Sequence, residues 1–206
     1  NRIEGGKKKI IHIDYTPAEV DRDYLPNVEI ISDLAGALFQ LNKALISKVK
    51  SQNLPLFDIK SREKSRLKML NHLNKNNHDN AFPMKPQRIL SDVRKIMDDD
   101  DILLSDVGAH KMWVAREYNC PKPNTCLISN GFCTMGFALP GSIGAKMVFP
   151  DRKVISINGD AGFLMNVQDL ETAVRHKINV VALVWLDGEY GLIKWKQQVN
   201  FDGEHS

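Results

Sequence analysis

The sequence contains few cysteines, and their pattern excludes two common kinds of site. Cys120, Cys126 and Cys133 are the three cysteines in 206 residues, and no two of them form a CxxC pair. An odd number of cysteines without such a pair is not typical of a disulfide framework or of a zinc site. We therefore expect reduced thiols and a cytoplasmic location.

Long apolar runs and a strong charge excess are also missing. No run of about 18 apolar residues occurs, so no membrane span is predicted, and no signal peptide is recognisable. The net charge is only +3, and no basic stripe is interleaved with aromatic residues, so nucleic acid is not an expected partner. The chain begins with Asn1 rather than Met and leads almost directly into a strand. We therefore expect it to be part of a longer protein.

Strand and helix patterns alternate along the sequence and predict an α/β fold. Alternating units of this kind form a parallel sheet with helices on both faces, a three-layer arrangement. We expect residues 1–46 to be the closing fragment of a Rossmann-like central domain, residues 47–82 to be a polar linker, and residues 83–206 to be a second α/β domain.

Hydrophobic periodicity and capping residues predict the individual elements. The first segment should contain strands at residues 9–14 and 28–31, a short helix opened by Pro17, and a longer helix capped by Ser32-Asp33. A surface helix is expected at residues 61–73. In the second domain we expect strands at residues 102–105, 125–128, 154–157 and 179–186, and helices at residues 86–96, 137–148, 166–176 and just after His110. Gly141 and Gly144 in the helix at 137–148 suit close packing against a neighbouring element.

The stretch from Gly159 to Ile193 carries the clearest functional signal. Asp160 and Asp187 each follow a predicted strand and are 27 residues apart, close to the length of a strand–helix–strand unit. Because such a crossover makes the two strands parallel, both carboxylates are expected at one edge of the sheet, where open α/β sheets bind ligands.

This arrangement suits a bound diphosphate. Two carboxylates alone would repel phosphate, but with Mg²⁺ between them they become ligands of a metal–diphosphate complex. Ala161 and Gly162 are small enough for backbone N–H groups to approach phosphate oxygens. The alternative is purely structural, with Asp160 as a loop residue or helix cap and Asp187-Gly188 as a turn.

The segment resembles the thiamin diphosphate (ThDP) motif, Gly-Asp-Gly followed at a fixed interval by Asn-Asn, and most closely the motif of the acetolactate synthase family. The resemblance implies that Asp160 and Asp187 bind Mg²⁺ through their side chains and Glu189 through its backbone carbonyl. Two departures occur. Ala161 replaces a glycine, which requires a negative φ, and Asp187-Gly188 replaces Asn-Asn while still offering an oxygen ligand.

Two further loops resemble the same family. Residues 107–110, Val-Gly-Ala-His, are similar to a loop that contacts the diphosphate, and residues 133–136, Cys-Thr-Met-Gly, are similar to the Gly-Thr-Met-Gly segment that receives the aminopyrimidine ring. Alone, Met135 and His110 would be taken as packing residues. The cofactor-binding residues that the resemblance implies are Gly108, Ala109, His110, Cys133, Met135, Gly159, Asp160, Ala161, Gly162, Asp187, Glu189, Tyr190, Gly191 and Leu192.

The resemblance also implies a reaction. Acetolactate synthases condense two molecules of pyruvate to 2-acetolactate and CO₂ through an enamine formed on ThDP, and they work as a homodimer or a dimer of dimers. The activating glutamate is expected upstream of Asn1, so no catalytic residue is expected in this chain, which by itself should be inactive. In flavin-binding relatives Asp14 would lie near the adenosine of FAD, but a strand-end aspartate satisfied by the backbone explains this residue equally well.

Two other functions remain open. One is another ThDP-dependent decarboxylase, oxidase or carboligase that acts on 2-oxo acids. The other is a non-catalytic nucleotide-binding or oligomerisation module, against which stands the absence of any G-x-G-x-x-G after a predicted strand.

Overall fold

The computed structural model describes residues 9–19, 24–52, 59–201 and 203, and the chain divides into two compact units, residues 1–63 and 64–206. In the first unit, β1 (Ile11–Asp14) and β2 (Val28–Ile31) pair in parallel. Helix α1 (Leu34–Gln52) follows. The side chain of Asp33 accepts the N–H of Gly36 at 2.7 Å, which confirms the predicted cap.

The structure describes two further predicted helices in this part of the chain only in part or with small shifts. Residues 17–19, where a short helix was expected to open, are not helical, and the N–H of Ala18 donates to the carboxylate of Glu29 in β2. Residues 20–23, which follow, lie outside the described residues. Helix α1 runs on to Gln52, and α2 (Ile59–Leu73) confirms the surface helix expected at residues 61–73.

The second unit alternates helices and strands, as predicted. A 3₁₀ helix (Asn74–Asn76) precedes the regular elements. They are α3 (Pro86–Ile96), β3 (Ile102–Ser105), α4 (Ala109–Glu117), β4 (Cys126–Ile128), α5 (Ala138–Val148), β5 (Val154–Gly159), α6 (Asp160–Met165), α7 (Asp169–Arg175), β6 (Val181–Trp185) and α8 (Gly191–Asn200).

A four-stranded parallel sheet forms the centre of this unit, in the order β4-β3-β5-β6. One face packs against α3 and α4, and the other packs against α5. The cluster on the first face contains Leu90, Val93, Met97, Leu103, Val114, Tyr118, Ile155 and Ile157. The cluster on the second face contains Ile102, Leu104, Ala138 and Val154. Alternate residues of β3 enter opposite clusters, as the two-residue period of a strand requires, so the predicted three-layer fold is confirmed.

The helix predicted at residues 166–176 corresponds to α7, which starts three residues later than expected, and a further helix that was not predicted, α6, precedes it. The segment after β5 forms two helices, α6 and α7, which are separated at Asn166–Gln168. Asn166 leaves the helical region, with φ of −132°, and its side chain donates to the carbonyl of Gly136 at 2.7 Å. This tertiary hydrogen bond places the break where helical periodicity gives no sign of one.

The two glycines of α5 differ in their surroundings. A Cβ added at Gly141 would lie 2.8 Å from the Leu104 side chain, so the predicted close packing of this helix on β3 is confirmed there. A Cβ added at Gly144 would meet nothing within 4 Å, so the expectation of close packing is wrong for this residue. Within the described part of the chain, no helix combines the length and apolar character needed to cross a membrane.

Candidate functional site

A cavity of about 670 Å³ opens at the carboxyl ends of β3, β5 and β6. Segments that follow each of these strands line it, namely residues 107–110, 159–162 and 186–193 without Gly188. The predicted cofactor-binding residues on its wall are Gly108, Ala109, His110, Met135, Gly159, Asp160, Ala161, Gly162, Asp187, Glu189, Tyr190, Gly191 and Leu192. Cys133 is the one predicted residue that does not line this cavity.

Asp160 and Asp187 come together at the same edge of the sheet. Strands β5 and β6 are parallel neighbours, with Gly159 paired to Trp185, so both aspartates follow directly at the carboxyl ends. The Asp160 carboxylate accepts the N–H of Gly188 at 2.9 Å, which joins the two strand-end loops. It also accepts the N–H of Ala161 at 2.8 Å. Ala161 lies in α6 and is not among the described residues with positive φ, so alanine fits where the motif has glycine.

The oxygen donors at this edge fit Mg²⁺. Among the described residues, no group of three or more His, Cys, Asp or Glu side chains could hold a metal ion. What the site provides is a pair of carboxylates, and Mg²⁺ commonly uses one or two carboxylates together with waters and phosphate oxygens. The Glu189 carboxylate is ion-paired with Lys194, and the metal contact through the Glu189 backbone carbonyl stays a prediction.

The starts of two helices meet beside Asp187. A Cβ added at Gly191, the first residue of α8, would lie 2.9 Å from Asp187 Oδ2 and 3.6 Å from the Cβ of Ala109, the first residue of α4. The first N–H groups of a helix have no partner within the helix and favour negative charge. The cavity therefore combines two carboxylates with two helix starts, a combination that suits a metal-bound diphosphate.

His110 provides an unsatisfied polar atom on the cavity wall. The residue is 6% exposed, and its Nε2 is buried without a hydrogen-bond partner. The ring packs against backbone, since a Cβ added at Gly108 or Gly159 would lie 2.8 Å or 3.3 Å from it. Burial lowers the pKa of His110, although the charges of Asp106, Asp187 and Asp160 oppose this shift. Buried polar atoms usually have partners, and among the described residues this nitrogen is one of four buried side-chain atoms without one.

The segment at residues 133–136 reaches the cavity, and its first residue has a strained backbone conformation. Met135 lines the cavity, whereas the Cys133 side chain lies near Lys111 Nζ at 3.2 Å. Cys133 has φ of +54°, in the left-handed region that favours glycine. This conformation explains why glycine suits the first position of the family segment. The cofactor contact that the resemblance implies for Cys133 stays a prediction.

Asp106 and Asn166 lie at the site but were not predicted from the sequence. Asp106 is fully buried behind the cavity, and its carboxylate accepts the N–H groups of Val107, Gly136 and Phe137. One signal was available, because Asp106 follows a strand just as Asp160 and Asp187 do. Nothing in the sequence distinguishes a buried strand-end carboxylate from one that faces a cavity. For Asn166 no signal was available.

Asp14 in the first unit has a structural explanation. Its side chain accepts the N–H of Thr16 at 3.3 Å, which is the arrangement expected of a strand-end aspartate satisfied by backbone.

Comparisons with known proteins point in the same direction as this geometry. The family model described as "Thiamine pyrophosphate enzyme, C-terminal TPP binding domain" matches residues 106–206. The chain is 33% identical over 196 residues to "Acetolactate synthase, catabolic" of Raoultella terrigena, covering 95% of this chain and 34% of that protein. It is 35% identical over 196 residues to "Probable acetolactate synthase large subunit" of Methanocaldococcus jannaschii, covering 91% and 32%.

A plant relative shows a similar level of identity. The chain is 33% identical over 193 residues to "Acetolactate synthase, chloroplastic" of Arabidopsis thaliana, covering 93% of this chain and 28% of that protein. The chain thus spans about a third of the length of the curated relatives that it matches.

Proposed function

We propose that the whole protein is a ThDP-dependent acetolactate synthase. The premise is that this chain belongs to the thiamine pyrophosphate enzymes and contains their C-terminal TPP-binding domain. Its substrate would be pyruvate, and its products 2-acetolactate and CO₂. In this proposal the chain of residues 1–206 contributes the diphosphate half of the site and forms no acetolactate by itself. The whole protein would act as a homodimer or a dimer of dimers.

The main support is the joined pair of strand-end loops that carry Asp160 and Asp187. The 2.9 Å hydrogen bond from Gly188 N–H to Asp160 holds the two loops together. Both carboxylates would bind Mg²⁺, with the Glu189 carbonyl as a third protein ligand. The ion would neutralise diphosphate oxygens that also face the starts of α4 and α8.

The rest of the cavity suits the organic part of the cofactor. Met135, which lies in the 133–136 segment, contributes to the cavity wall, and Ile89 and Leu183 add apolar surface. Apolar walls exclude water, which strengthens the electrostatic interactions inside a site. When bound, ThDP supplies a carbon nucleophile for the ketone of a 2-oxo acid and an electron sink for decarboxylation. This chain's own residues would hold, orient and shield that cofactor.

Binding by the present chain tests the cofactor. Titration calorimetry should show ThDP binding that depends on Mg²⁺, and no binding of NAD. Replacing one carboxylate by an amide, in Asp160→Asn or Asp187→Asn, should weaken Mg²⁺-dependent binding by about tenfold or more, because a charged ligand of the ion is lost. Asp151→Asn changes an exposed turn residue and serves as the control with unchanged affinity. Binding of NAD alone would instead favour a nucleotide-binding module.

Product analysis on the full-length protein tests the reaction. With pyruvate, ThDP and Mg²⁺ present, we expect 2-acetolactate as the main product. Acetaldehyde or acetyl phosphate in its place would show a decarboxylase or an oxidase built on the same cofactor site. Sedimentation of the full-length protein would test the proposed dimer.

A further inference from the structure

The carboxylate of Asp106 is an anchor for backbone from two loops. Asp106 follows β3 directly and is 0% exposed. Its Oδ1 accepts the N–H of Val107 at 2.8 Å and that of Phe137 at 3.2 Å, and its Oδ2 accepts the N–H of Gly136 at 3.0 Å. Hydrogen bonds to a carboxylate are among the stronger ones in proteins, and leaving a buried N–H without its acceptor is costly.

Asn166 holds the same glycine from the other side. Its side-chain amide donates to the carbonyl of Gly136 at 2.7 Å. Gly136 has φ of +79°, and a Cβ added there would lie 2.6 Å from Asn166 Nδ2. The N–H and the carbonyl of Gly136 are therefore both fixed, one by the residue after β3 and the other by the residue after α6.

Gly162 brings α6 against this anchor. A Cβ added at Gly162 would overlap Asp106 Oδ2, so α6, which begins at Asp160, can pack there only because residue 162 has no side chain. The loop after β3, the 133–137 segment and α6 all meet at one buried carboxylate. These are the segments that the proposed function assigns to the diphosphate, the aminopyrimidine and the metal.

We propose that Asp106 and Asn166 are positioning residues for the cofactor, which fix Gly136 and so set the 133–135 segment at a defined place relative to the diphosphate loops. This inference rests on the proposed function. Neither side chain needs to contact the ligand. Their effect is on the pyrimidine half of the site, because the segment that they hold is the one that would receive the ring.

Asp106→Asn tests the anchor with little change in shape. An amide nitrogen cannot accept, so whichever way the side chain turns, at least one of the three N–H groups loses its acceptor. We expect affinity for ThDP in the presence of Mg²⁺ to fall about tenfold or more. Affinity for inorganic pyrophosphate with Mg²⁺ should fall by a smaller factor, because Asp106 also holds Val107 in the diphosphate loop but only ThDP has a pyrimidine to misplace.

The chain offers a matched control at the opposite end of the same strand. Asp101 precedes β3, is 5% exposed, and accepts the N–H groups of Asp98 at 2.7 Å and Lys153 at 2.8 Å. Asp101→Asn also removes a buried carboxylate that holds backbone, but away from the site. It should leave the ratio of ThDP affinity to pyrophosphate affinity unchanged. Comparing Asp106→Asn with Asp101→Asn, at the two ends of β3, therefore separates an effect on cofactor positioning from a general loss of stability.

Backbone amide exchange measured by NMR provides a readout without any ligand. In Asp106→Asn the amide of Gly136 or that of Phe137, whichever loses its acceptor, should exchange about tenfold faster or more than in wild type, and in Asp101→Asn neither should. Asn166→Ala is a second variant, for use if Asp106→Asn does not fold. It should also lower the ratio of ThDP affinity to pyrophosphate affinity.

The outcomes separate this inference from the proposed function. Parallel loss of ThDP and pyrophosphate affinity in Asp106→Asn, or the same change of ratio in Asp101→Asn, would overturn the positioning role. Unchanged exchange of Gly136 and Phe137 would overturn the anchor itself. If wild type binds pyrophosphate but not ThDP, the proposed function fails and the positioning role fails with it, whatever the exchange data show.

Discussion

Cys133 illustrates how a single residue can carry backbone strain within an otherwise regular site. Its φ of +54° costs a residue with a side chain about 1–2 kcal/mol. Cys133→Gly removes this strain, but glycine also gains freedom in the unfolded chain, worth about 0.4–1 kcal/mol. We expect the glycine variant to be more stable by up to about 1 kcal/mol.

The matched variant keeps the strain. Cys133→Ala retains the unfavourable φ and loses the sulfur contact with Lys111 at 3.2 Å, so it should be less stable than Cys133→Gly. Urea unfolding of the three proteins measures the order. An alanine variant at least as stable as the glycine variant would show that φ at this residue is not the source of strain.

His110 should make stability depend on pH. Because burial lowers the pKa of His110, the unfolded chain binds a proton at pH values where the folded protein does not. The free energy of unfolding therefore decreases as pH falls below the unfolded pKa of about 6.5. His110→Gln lacks this titration and should lose less stability than wild type between about pH 7.5 and about pH 5.5. Denaturant unfolding at several pH values measures both curves, and parallel curves would contradict the prediction.

At the scale of an element, α5 shows that two glycines in one helix can have opposite effects. Gly141 faces Leu104, where a Cβ would lie 2.8 Å away, whereas Gly144 faces open space. Gly141→Ala should overpack the contact with β3 and destabilise by about 1–3 kcal/mol. Gly144→Ala should stabilise by about 0.5–1 kcal/mol, because alanine is the better helix former. Thermal unfolding of the two variants provides the comparison, and shifts of the same sign would refute it.

At the scale of the whole molecule, the two units differ in how much they bury. Within residues 9–19, 24–49 and 59–63 of the first unit no residue is buried, whereas β3 and β5 in the second unit are almost entirely buried. We expect the amides of β3 and β5 to exchange about a hundredfold or more slowly than those of β1 and β2, because local opening is easier where little apolar surface is buried. Hydrogen exchange followed by mass spectrometry tests this prediction, and equal protection in both sheets would contradict it.

Much of the fold was accessible from the sequence because local periodicity determines it. The bounds of α3 and β3 were predicted without error, since Pro86 opens the helix and an apolar run forms the strand. The break between α6 and α7 was not predictable, because it depends on a hydrogen bond from Asn166 to Gly136, a residue 30 positions away. Helix α8 was also not anticipated.

The sequence by itself determined that strands alternate with helices and that Asp160 and Asp187 end neighbouring strands, because apolar patterning and the length of a crossover depend only on residue order. Tertiary structure alone decided the rest of the site. It buried Asp106 behind the cavity, left His110 Nε2 without a partner, and turned the side chain of Glu189 toward Lys194. These features depend on which distant groups pack together, and local patterns in the sequence do not determine that packing.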